Sequence, residues 1–492
     1  MLSQFQIDSG SAVPIYRQIH DQIRDSILSG RLAPAERLPA TRDLAGQLGL
    51  NRTTVSAAYE LLESAGLIRG HVGRGSFVAL GVAPSSGLDW ERLLEDPDQP
   101  PAAQPPLPAP DGSISFATSR PSEQLFPLDD VRTTCREILA SDAAAILQLG
   151  SPLGYAPLRR HLLEDARRAS LARPGDDLLV TNGCQQALYL LRRVLVRPGD
   201  TVALEDPVYP GLKNLFSGRH LRLLGVPVGP QGVDPDYLDR FLARERPRLL
   251  VVTPNFQNPT GATLPLAARQ ALLRAAHQAG TVVVENDIYG ELRYQGEPLP
   301  TLKQLDSTGD TVLLRSFSKI AFPGLRVGWV TAPRALIARL AAAKESADLH
   351  SDHLSQALLL RFAESGRLAA HKSRMISAGA LRLAAAIAAC SRWLPAGSRF
   401  TRPQGGMNLW VRLPEPLDAA DLLPQAQRAG VCYLPGKYFA VSRHDPGTLR
   451  LSFAGLPPES IHAGLAILGK VFSKELERVR AEHPAEPASA IV

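Results

Sequence analysis

Five short apolar runs in the 492-residue chain limit its fold more than any other feature. Each is rich in leucine or β-branched residues and is bounded by glycine, proline or aspartate. They occupy residues 178–181, 201–204, 249–253, 281–285 and 311–315. Continuous apolar runs suit parallel strands covered on both faces, and helical patterns alternate with them here. The sequence therefore predicts an α/β body.

A proline-rich segment separates this body from the first eighty residues. Its prolines are Pro97, Pro100, Pro101, Pro105, Pro106, Pro108 and Pro110. Together with Ala, Gln and Asp, they cannot bury a core and favour extended polyproline conformations. The chain is also longer than one hydrophobic core usually serves. We therefore predict a module at 12–80, a linker at 81–112, a body at 113–475 and a polar tail at 476–492.

Composition excludes several classes of protein. The four cysteines lie far apart with no CxxC pair, which argues against a disulfide framework and a zinc cluster. His350 and His353 have no third ligand nearby, so we predict no metal site and expect both on a solvated helix face. We predict no signal peptide, because the first residues lack a basic head followed by an apolar run. We predict no membrane helix, because no run approaches ~18 uninterrupted apolar residues. A reducing cytoplasm is the expected compartment.

The first eighty residues carry helix signals of their own. An apolar stripe recurs at every fourth position after Pro14, which predicts an opening helix that Gly30 ends. The stripe consists of Ile15, Ile19, Ile23 and Ile27. Residues 44–48 mark a second helix, Gly49 breaks it, and Asn51 can cap a third that runs to about residue 65. Two short helices joined in this way predict a helix-turn-helix.

Residues 67–70 and 76–78 flank a glycine-rich tip and predict a β-hairpin, which completes a winged helix. The whole of 12–80 resembles the GntR-type winged-helix domain, chiefly in residues 37–45, 58–63 and 73–78. The resemblance implies that five residues face DNA, namely Arg42, Arg52, Thr53, Thr54 and the wing residue Arg74. The net charge of +6 is mild, so placement of the basic residues must provide any nucleic-acid surface.

Any one of these arginines, taken alone, is better explained as a solvated surface charge. Their joint position at two helix starts and a hairpin tip favours DNA contact, because phosphate and base contacts come from such places.

The segment 316–328 carries the clearest chemistry. It places Lys319 beside small hydroxyl residues, with an arginine seven positions on in a run of Gly and Pro. Lysine provides the primary amine that an imine needs, while hydroxyls and a guanidinium can hold a phosphate dianion. The segment looks like the Schiff-base segment of the class I/II aminotransferases. The resemblance implies pyridoxal 5′-phosphate on Lys319, with Ser316, Ser318 and Arg326 at its phosphate.

Further motifs extend the resemblance to fold-type I pyridoxal phosphate enzymes, which implies an α/β domain with a smaller C-terminal α+β subdomain. After the strand at 178–181, Gly183, Cys184 and Gln185 open a helix whose N-terminus can bind phosphate. A glycine at such a place is, by itself, more often only a turn. Tyr209 matches the aromatic residue that stacks on the pyridine ring, although a lone tyrosine is by default a core or interface residue.

Asn258 and Tyr289 match the pair that reaches the phenolic oxygen of the cofactor, although an Asn-Pro-Thr-Gly segment alone is a plain turn. Arg450 matches the arginine that grips a substrate's α-carboxylate through two parallel hydrogen bonds. A strand arginine can instead form a surface ion pair. The order of the motifs along the chain favours the functional interpretation of all three residues.

The sequence departs from the family at one position. The family has an aspartate three residues before the tyrosine, where it pairs with the protonated pyridine nitrogen and makes the ring an electron sink. Here Asn286 stands three residues before Tyr289, and Asp287 follows it. Neighbouring side chains on a strand point to opposite faces. We predict Asn286 at the ring, unless the strand end bends and brings Asp287 in.

A GntR-type module joined by a linker to an aminotransferase-like body resembles the MocR/GabR family of bacterial transcription regulators. The resemblance implies a homodimer that binds double-stranded operator DNA. It also implies sensing of an amino acid or other amine through external aldimine formation at Lys319. The alternatives are a working aminotransferase that carries a DNA-binding module, and a scaffold that has lost the cofactor. Intact Lys319, Arg326, Tyr289 and Arg450 argue against the scaffold.

Overall fold

The computed structural model describes residues 5–8, 10–11, 13–71, 75–79, 112–218, 220–442 and 445–482. The chain forms two compact units, Met1–Pro97 and Asp98–Val492. Almost all of the predicted linker lies outside the described residues. The predicted tail overlaps the last helix, Pro458–Glu482, and its remainder, 483–492, also lies outside the described residues.

The described part of the amino-terminal unit consists of three helices and one β-hairpin. They are α1 (Ile15–Leu28), α2 (Thr41–Leu48), α3 (Arg52–Ser64), β1 (Ile68–His71) and β2 (Gly75–Val78). Pro14 precedes α1 with a φ of −56°, and the predicted isoleucine stripe faces the core. Gly49 ends α2 with a φ of 64°, a left-handed conformation that favours glycine.

Asn51 caps α3 as predicted, because its side-chain oxygen accepts the N–H of Thr53 at 3.1 Å. The hydroxyl of Tyr59 on α3 donates to the carbonyl of Pro39 at 2.9 Å and fixes the segment before α2. The hairpin is antiparallel, with Ile68 opposite Val78. These elements confirm the predicted winged helix-turn-helix. The hairpin tip at 72–74, with Arg74, lies outside the described residues.

The carboxy-terminal unit alternates strands and helices. Its strands are β3 (Ile114–Ser115), β4 (Asp176–Thr181), β5 (Thr201–Asp206), β6 (Arg222–Gly229), β7 (Gly232–Val233), β8 (Leu249–Val252), β9 (Val282–Asn286), β10 (Thr311–Ser316), β11 (Gly328–Pro333), β12 (Arg399–Phe400), β13 (Asn408–Arg412), β14 (Val431–Cys432), β15 (Leu434–Pro435) and β16 (Thr448–Ser452). Its helices are α4 (Leu128–Ser141), α5 (Ala143–Ile146), α6 (Ala156–Arg168), α7 (Gly183–Leu195), α8 (Pro210–Phe216), α9 (Pro235–Glu245), α10 (Leu266–Ala279), α11 (Leu302–Leu305), α12 (Arg334–Asp348), α13 (His353–Glu364), α14 (Arg367–Trp393), α15 (Ala419–Arg428) and α16 (Pro458–Glu482).

Eight of these strands form one sheet in the order β4-β11-β10-β9-β8-β5-β6-β7. Strands β10, β9, β8, β5 and β6 pair in parallel, whereas β11 is antiparallel to both β4 and β10. The five apolar runs of the sequence are β4, β5, β8, β9 and β10. Their carboxyl ends therefore share one edge of the sheet, the edge at which open α/β sheets bind ligands.

Helices cover both faces of this sheet, as continuous apolar strands require. Leu191 of α7 and Ile337 of α12 pack on one face. Leu242 of α9 and Leu272 of α10 pack on the other. The predicted α/β fold is confirmed.

The predicted smaller subdomain contains an antiparallel sheet in the order β12-β13-β16-β15 and the helices α14 to α16. Arg450 on β16 pairs with Trp410 of β13 and with Leu434 of β15. Strand β3 pairs with β14, which brings the start of the body back to this subdomain. The residues just after β3 are thereby placed beside the edge of the large sheet.

Helix α14 is long and apolar enough to cross a membrane, by length and composition only. It is one such helix among the described residues, and the core helix of a folded domain passes the same test. Here Leu383, Ala386 and Ala389 of α14 are buried in the main hydrophobic core of the unit.

His353 corrects one expectation. It begins α13 and is buried, with its ring packed directly against Gly150 and 5.4 Å from the ring of Tyr155. His350 lies before the helix, and its ring is 4.9 Å from that of His353. The expected solvated helix face was wrong, because spacing along the chain does not reveal that residue 150 packs on this site.

Candidate functional site

Lys319 follows β10 and lies in a cavity of about 510 Å³ at the carboxyl edge of the large sheet. The predicted site residues that line this cavity are Cys184, Gln185, Tyr209, Asn258, Asn286, Tyr289, Ser316, Ser318, Lys319, Arg326 and Arg450. A wider surface cleft of about 710 Å³, lined by Gln231 and Arg412 among others, contains none of them. The chemistry therefore converges on the smaller cavity.

The amine of Lys319 is conditioned for nucleophilic attack. Its Nζ donates to the carbonyl oxygen of Ser119 at 2.7 Å and lies 5.9 Å from the centre of the Tyr289 ring. Burial, aided by the positive charges of Arg450 and Arg326, lowers the pKa of Lys319 to about 8. A larger fraction of this lysine is therefore the neutral amine, which is the form that attacks a carbonyl.

One end of the cavity is the turn at the start of α7, which the sequence predicts to be an anion-binding turn. Gly183 has a φ of 76°, and a Cβ at this position would lie only 2.6 Å from Nη2 of Arg326. That same nitrogen donates to the carbonyl of Asn182 at 3.3 Å. The oxygens of Ser316 and Ser318 lie 2.9 Å apart beside the turn. A helix N-terminus, two hydroxyls and a guanidinium together suit a phosphate dianion.

Cys184 and Gln185 complete the first turn of α7. The thiol of Cys184 donates to the carbonyl of Arg315 at 3.4 Å, and burial raises the pKa of this thiol to about 12. The thiol therefore stays protonated with its S–H directed at this carbonyl, which leaves the backbone amide of Cys184 for an anion. The amide of Gln185 reaches the carbonyl of Gly211 at 3.4 Å.

Asn258, Tyr289 and Arg450 form one chain of contacts across the cavity. The amide nitrogen of Asn258 donates to the Tyr289 hydroxyl at 3.4 Å, and its oxygen accepts Nη1 of Arg450 at 3.1 Å. Tyr209 is half-exposed at the cavity mouth, with 46% of its surface accessible. Tyr209, predicted to stack on the cofactor's pyridine ring, and Asn258 and Tyr289, predicted to contact its phenolic oxygen, therefore line one cavity.

Arg450 is a buried cation without a carboxylate partner among the described residues. Its Nη2 donates to the carbonyl of Ala117, its guanidinium carbon lies 5.0 Å from the centre of the Phe439 ring, and its Nε has no hydrogen-bond partner in the described chain. Burial lowers the pKa of Arg450 to about 10. A guanidinium held this way has donors available for an anionic ligand.

Asn286 and Asp287 point to different surroundings. Asn286 lines the cavity, where its amide donates to the Thr253 hydroxyl at 3.5 Å. Its buried oxygen meets no donor in the described chain. Asp287 is buried elsewhere, accepting Asn255 at 2.9 Å and pairing with Arg315 at 2.7 Å.

Sequence reasoning missed the segment after β3. Ala117, Thr118 and Ser119 line the cavity, and the carbonyls of Ala117 and Ser119 hold Arg450 and Lys319. Both contacts use backbone atoms, so residue type gave no signal. Thr253 and Tyr438 also line the cavity without having been predicted.

The predicted DNA-facing residues lie at two helix starts of the amino-terminal unit. Arg42 is on the first turn of α2 and is exposed. Arg52 and Thr53 open α3 and are exposed, whereas Thr54 is half-buried. Arg69 on β1 is a further exposed arginine that the prediction did not include.

Comparison with known proteins agrees with both units. Residues 114–468 match the family "Aminotransferase class I and II", and residues 15–78 match "Bacterial regulatory proteins, gntR family". The HTH-type transcriptional regulator TauR of Rhodobacter capsulatus is 30% identical over 95% of this chain and 99% of its own length. The probable rhizopine catabolism regulatory protein MocR of Rhizobium meliloti is 29% identical over 95% of both chains.

Among solved structures, the body is similar to LysN, an alpha-aminoadipate aminotransferase from Thermus thermophilus complexed with N-(5′-phosphopyridoxyl)-L-leucine. That structure has 37% sequence identity and a TM-score of 0.71, and the match covers 75% of this chain and 94% of the other. The fold and the site define a fold-type I pyridoxal phosphate protein that carries a helix-turn-helix module. The chain belongs to the class I and II aminotransferase family, in the MocR-type form with a gntR-family module in front.

Pyridoxal 5′-phosphate is the cofactor that this family implies, and the cavity fits it. Lys319 offers an amine with a lowered pKa, and Arg326 offers a guanidinium beside a helix N-terminus. At the other end of the cavity, the side chains of Asn286 and Arg450 each keep a buried polar atom without a partner in the described chain. Pyridoxal phosphate has a phosphate at one end and a ring nitrogen at the other, and a bound amino acid would add a carboxylate beside it. Each of these groups has a matching partner among the residues just named.

Proposed function

We propose that the protein is a transcription regulator that senses an amino acid at the Lys319 cavity and changes its binding to operator DNA in response. The observation that carries the proposal is Asn286, a neutral amide on the cavity wall where the family places a carboxylate. Asp287, the nearest carboxylate along the chain, is already occupied by Arg315 and Asn255. Such a site is suited to bind amines without efficient turnover.

When bound, pyridoxal phosphate supplies an electrophilic carbonyl carbon that condenses with primary amines. Lys319 would hold the cofactor through that carbon, and its lowered pKa provides more of the neutral amine that such a bond needs near neutral pH. Arg326 and the turn at Gly183 hold the phosphate. Asn258 and Tyr289 orient the phenolic oxygen, and Arg450 receives the α-carboxylate of the incoming amino acid.

An amino acid effector would compete with Lys319 for the cofactor, so its binding would change the contacts of two cations. Lys319 would lose its bond to the cofactor, and Arg450 would gain a carboxylate partner. A ligand shifts a conformational equilibrium only through contacts that differ between the two states. These two changes are the differential contacts from which a signal toward the DNA-binding unit begins.

The walls of the cavity favour an effector with a neutral side chain. The described lining residues include three cations, and all three already have roles: Lys319, Arg326 and Arg450. The other walls include Leu188, Val208, Leu212, Ile288 and Leu434. A second carboxylate on the effector would be buried here without a partner, which is costly.

DNA recognition is assigned to the start of α3. Arg52 and Thr53 are exposed there, where a recognition helix presents side chains to the major groove. By resemblance to its regulator relatives, we propose that the protein acts as a homodimer in the bacterial cytoplasm.

A gel-shift titration with the upstream intergenic duplex tests the proposal, run with and without a panel of amino acids at fixed salt. The effective amino acid should change the DNA affinity of the wild-type protein about 5- to 150-fold, the usual range of allosteric coupling. Lys319→Ala should bind DNA without that response. If no amino acid changes the affinity, or if Lys319→Ala responds like wild type, sensing at Lys319 is wrong.

A working aminotransferase is the second candidate. The observation in its favour is the 37% identity to the LysN structure, a match that covers 75% of this chain. Steady turnover of an amino acid with an oxo-acid acceptor, at rates of about 1 per second or more, would favour the enzyme.

A further inference from the structure

Asp348, the last residue of α12, holds the anion-binding turn from outside the cavity. Its Oδ2 accepts the side-chain amide of Asn182 at 2.9 Å and that of Gln186 at 2.5 Å. Its Oδ1 lies 3.3 Å from Nζ of Lys344, a fully buried lysine one turn earlier on α12. A carboxylate at a helix C-terminus faces the negative end of the helix dipole, so its position requires another source of stability.

Asn182 connects Asp348 to the turn at Gly183. Its N–H donates to Oε1 of Gln186 at 2.8 Å, and its carbonyl accepts Nη2 of Arg326 at 3.3 Å. Its side-chain amide is the group held by Asp348. These three contacts fix both the backbone and the side chain of Asn182, the residue just before Gly183. One of the three binds the guanidinium of Arg326, which we assign to the phosphate.

We infer that Asp348 is a positioning residue for the phosphate of pyridoxal phosphate. It touches neither the cofactor nor the effector. It orients Asn182 and Gln186, and these set the direction of the backbone amides at the start of α7 and the place of Arg326. Residues that orient ligand-binding groups in this way change ligand affinity about 10- to 100-fold in metal sites.

The inference rests on the proposed phosphate role of the Gly183 turn, and the two can be tested apart. Pyridoxal, which lacks the phosphate, uses Lys319 and the ring contacts alone. A loss of phosphate positioning therefore lowers the affinity for pyridoxal phosphate and leaves that for pyridoxal unchanged. A general loss of folding lowers the affinity for both compounds.

The experiment uses the full-length protein, stripped of cofactor by dialysis against a carbonyl-trapping amine. Dissociation constants for pyridoxal phosphate and pyridoxal are measured by fluorescence for wild type, Asp348→Asn and Gln186→Met. Gln186→Met removes the contact of Gln186 with Asp348 and its contact with the N–H of Asn182, but it leaves the pair of Asp348 and Lys344 intact, so it remains informative if Asp348→Asn folds poorly. Asp352→Asn is the matched control, because Asp352 caps α13 and is not bonded to the turn.

We expect the ratio of the two affinities to fall about 10- to 100-fold in Asp348→Asn and Gln186→Met, and to stay at the wild-type value in Asp352→Asn. An unchanged ratio in both test variants would overturn the positioning role of Asp348. A wild-type protein that binds pyridoxal as tightly as pyridoxal phosphate would instead overturn the phosphate assignment of the turn.

Discussion

Asn286→Asp restores the carboxylate that the family places at the pyridine nitrogen, and we expect it to convert a binding site into a faster catalyst. Two opposite unit charges ~4 Å apart attract by about 4 kcal/mol in a partly solvated protein site. That energy corresponds to about three pKa units on the ring nitrogen. The ring would then stay protonated at neutral pH and accept electrons when the α-proton of the substrate leaves.

The size of the rate effect follows from this attraction. If about half of the ~4 kcal/mol is expressed in the transition state for proton removal, half-transamination should become about thirtyfold faster. The neighbouring carboxylate Asp287 opposes the change little, since Arg315 neutralises it at 2.7 Å. The cofactor-loaded protein should be used, because an unpaired carboxylate at 286 is costly in the apoprotein.

Stopped-flow absorbance with a panel of amino acids measures the conversion to the pyridoxamine form, and chromatography of the released cofactor confirms the product. The control is Asp287→Asn, which breaks the buried pair with Arg315. It should lower the stability of the protein and not act through the ring, and the loss is moderated because Arg315 keeps Glu291 at 3.6 Å. Fast wild-type turnover that Asn286→Asp leaves unchanged, but Asp287→Asn abolishes, would show that Asp287 is the true ring partner.

Three further predictions follow from single residues. Borohydride reduction and mass spectrometry should find the phosphopyridoxyl group on Lys319 and none in Lys319→Ala; a modified lysine elsewhere would contradict the assignment. Capture of pyridoxal phosphate by the apoprotein should speed up as pH rises and level off above about 8, because the neutral amine of Lys319 is the form that reacts. Arg450→Met should shift this profile to higher pH, because it removes a positive charge that lowers the pKa of Lys319. Arg52→Ala should weaken specific DNA binding by ~1–3 kcal/mol and relax sequence preference in gel-shift titrations. The exposed Arg31, away from the recognition helix, is its control, and equal effects of the two changes would remove α3 from recognition.

Elements with local signals could be predicted from the sequence. Gly49 and Asn51 end and begin helices through their own backbone and side-chain preferences, so the end of α2 and the start of α3 followed from neighbouring residues. The five apolar runs became β4, β5, β8, β9 and β10 because a strand covered on both faces must be apolar throughout.

Contacts between distant segments could not be predicted in this way. Ser119 and Lys319 are 200 residues apart, and the bond uses a carbonyl that any residue would provide. Asn182 and Asp348 are 166 residues apart on a strand end and a helix end. Nothing in the periodicity of either segment points to the other. Such contacts depend on how the helices pack on the sheet, which a single sequence does not state.

No carboxylate is among the described residues that line the cavity around Asn286. The hydroxyl of Thr253 accepts the amide of Asn286, and the N–H of Thr253 donates to Glu205 at 3.1 Å. Burial raises the pKa of Glu205 to about 8, so this carboxyl is mostly protonated at neutral pH. A ring nitrogen at this end would meet the amide of Asn286 and the hydroxyl of Thr253, whereas Glu205 is not among the lining residues. Exchange of amines at the carbonyl carbon does not need a protonated ring, whereas transamination does. A site that binds its amino acid without consuming it stays occupied in proportion to the amino acid's concentration, which is what a sensor requires.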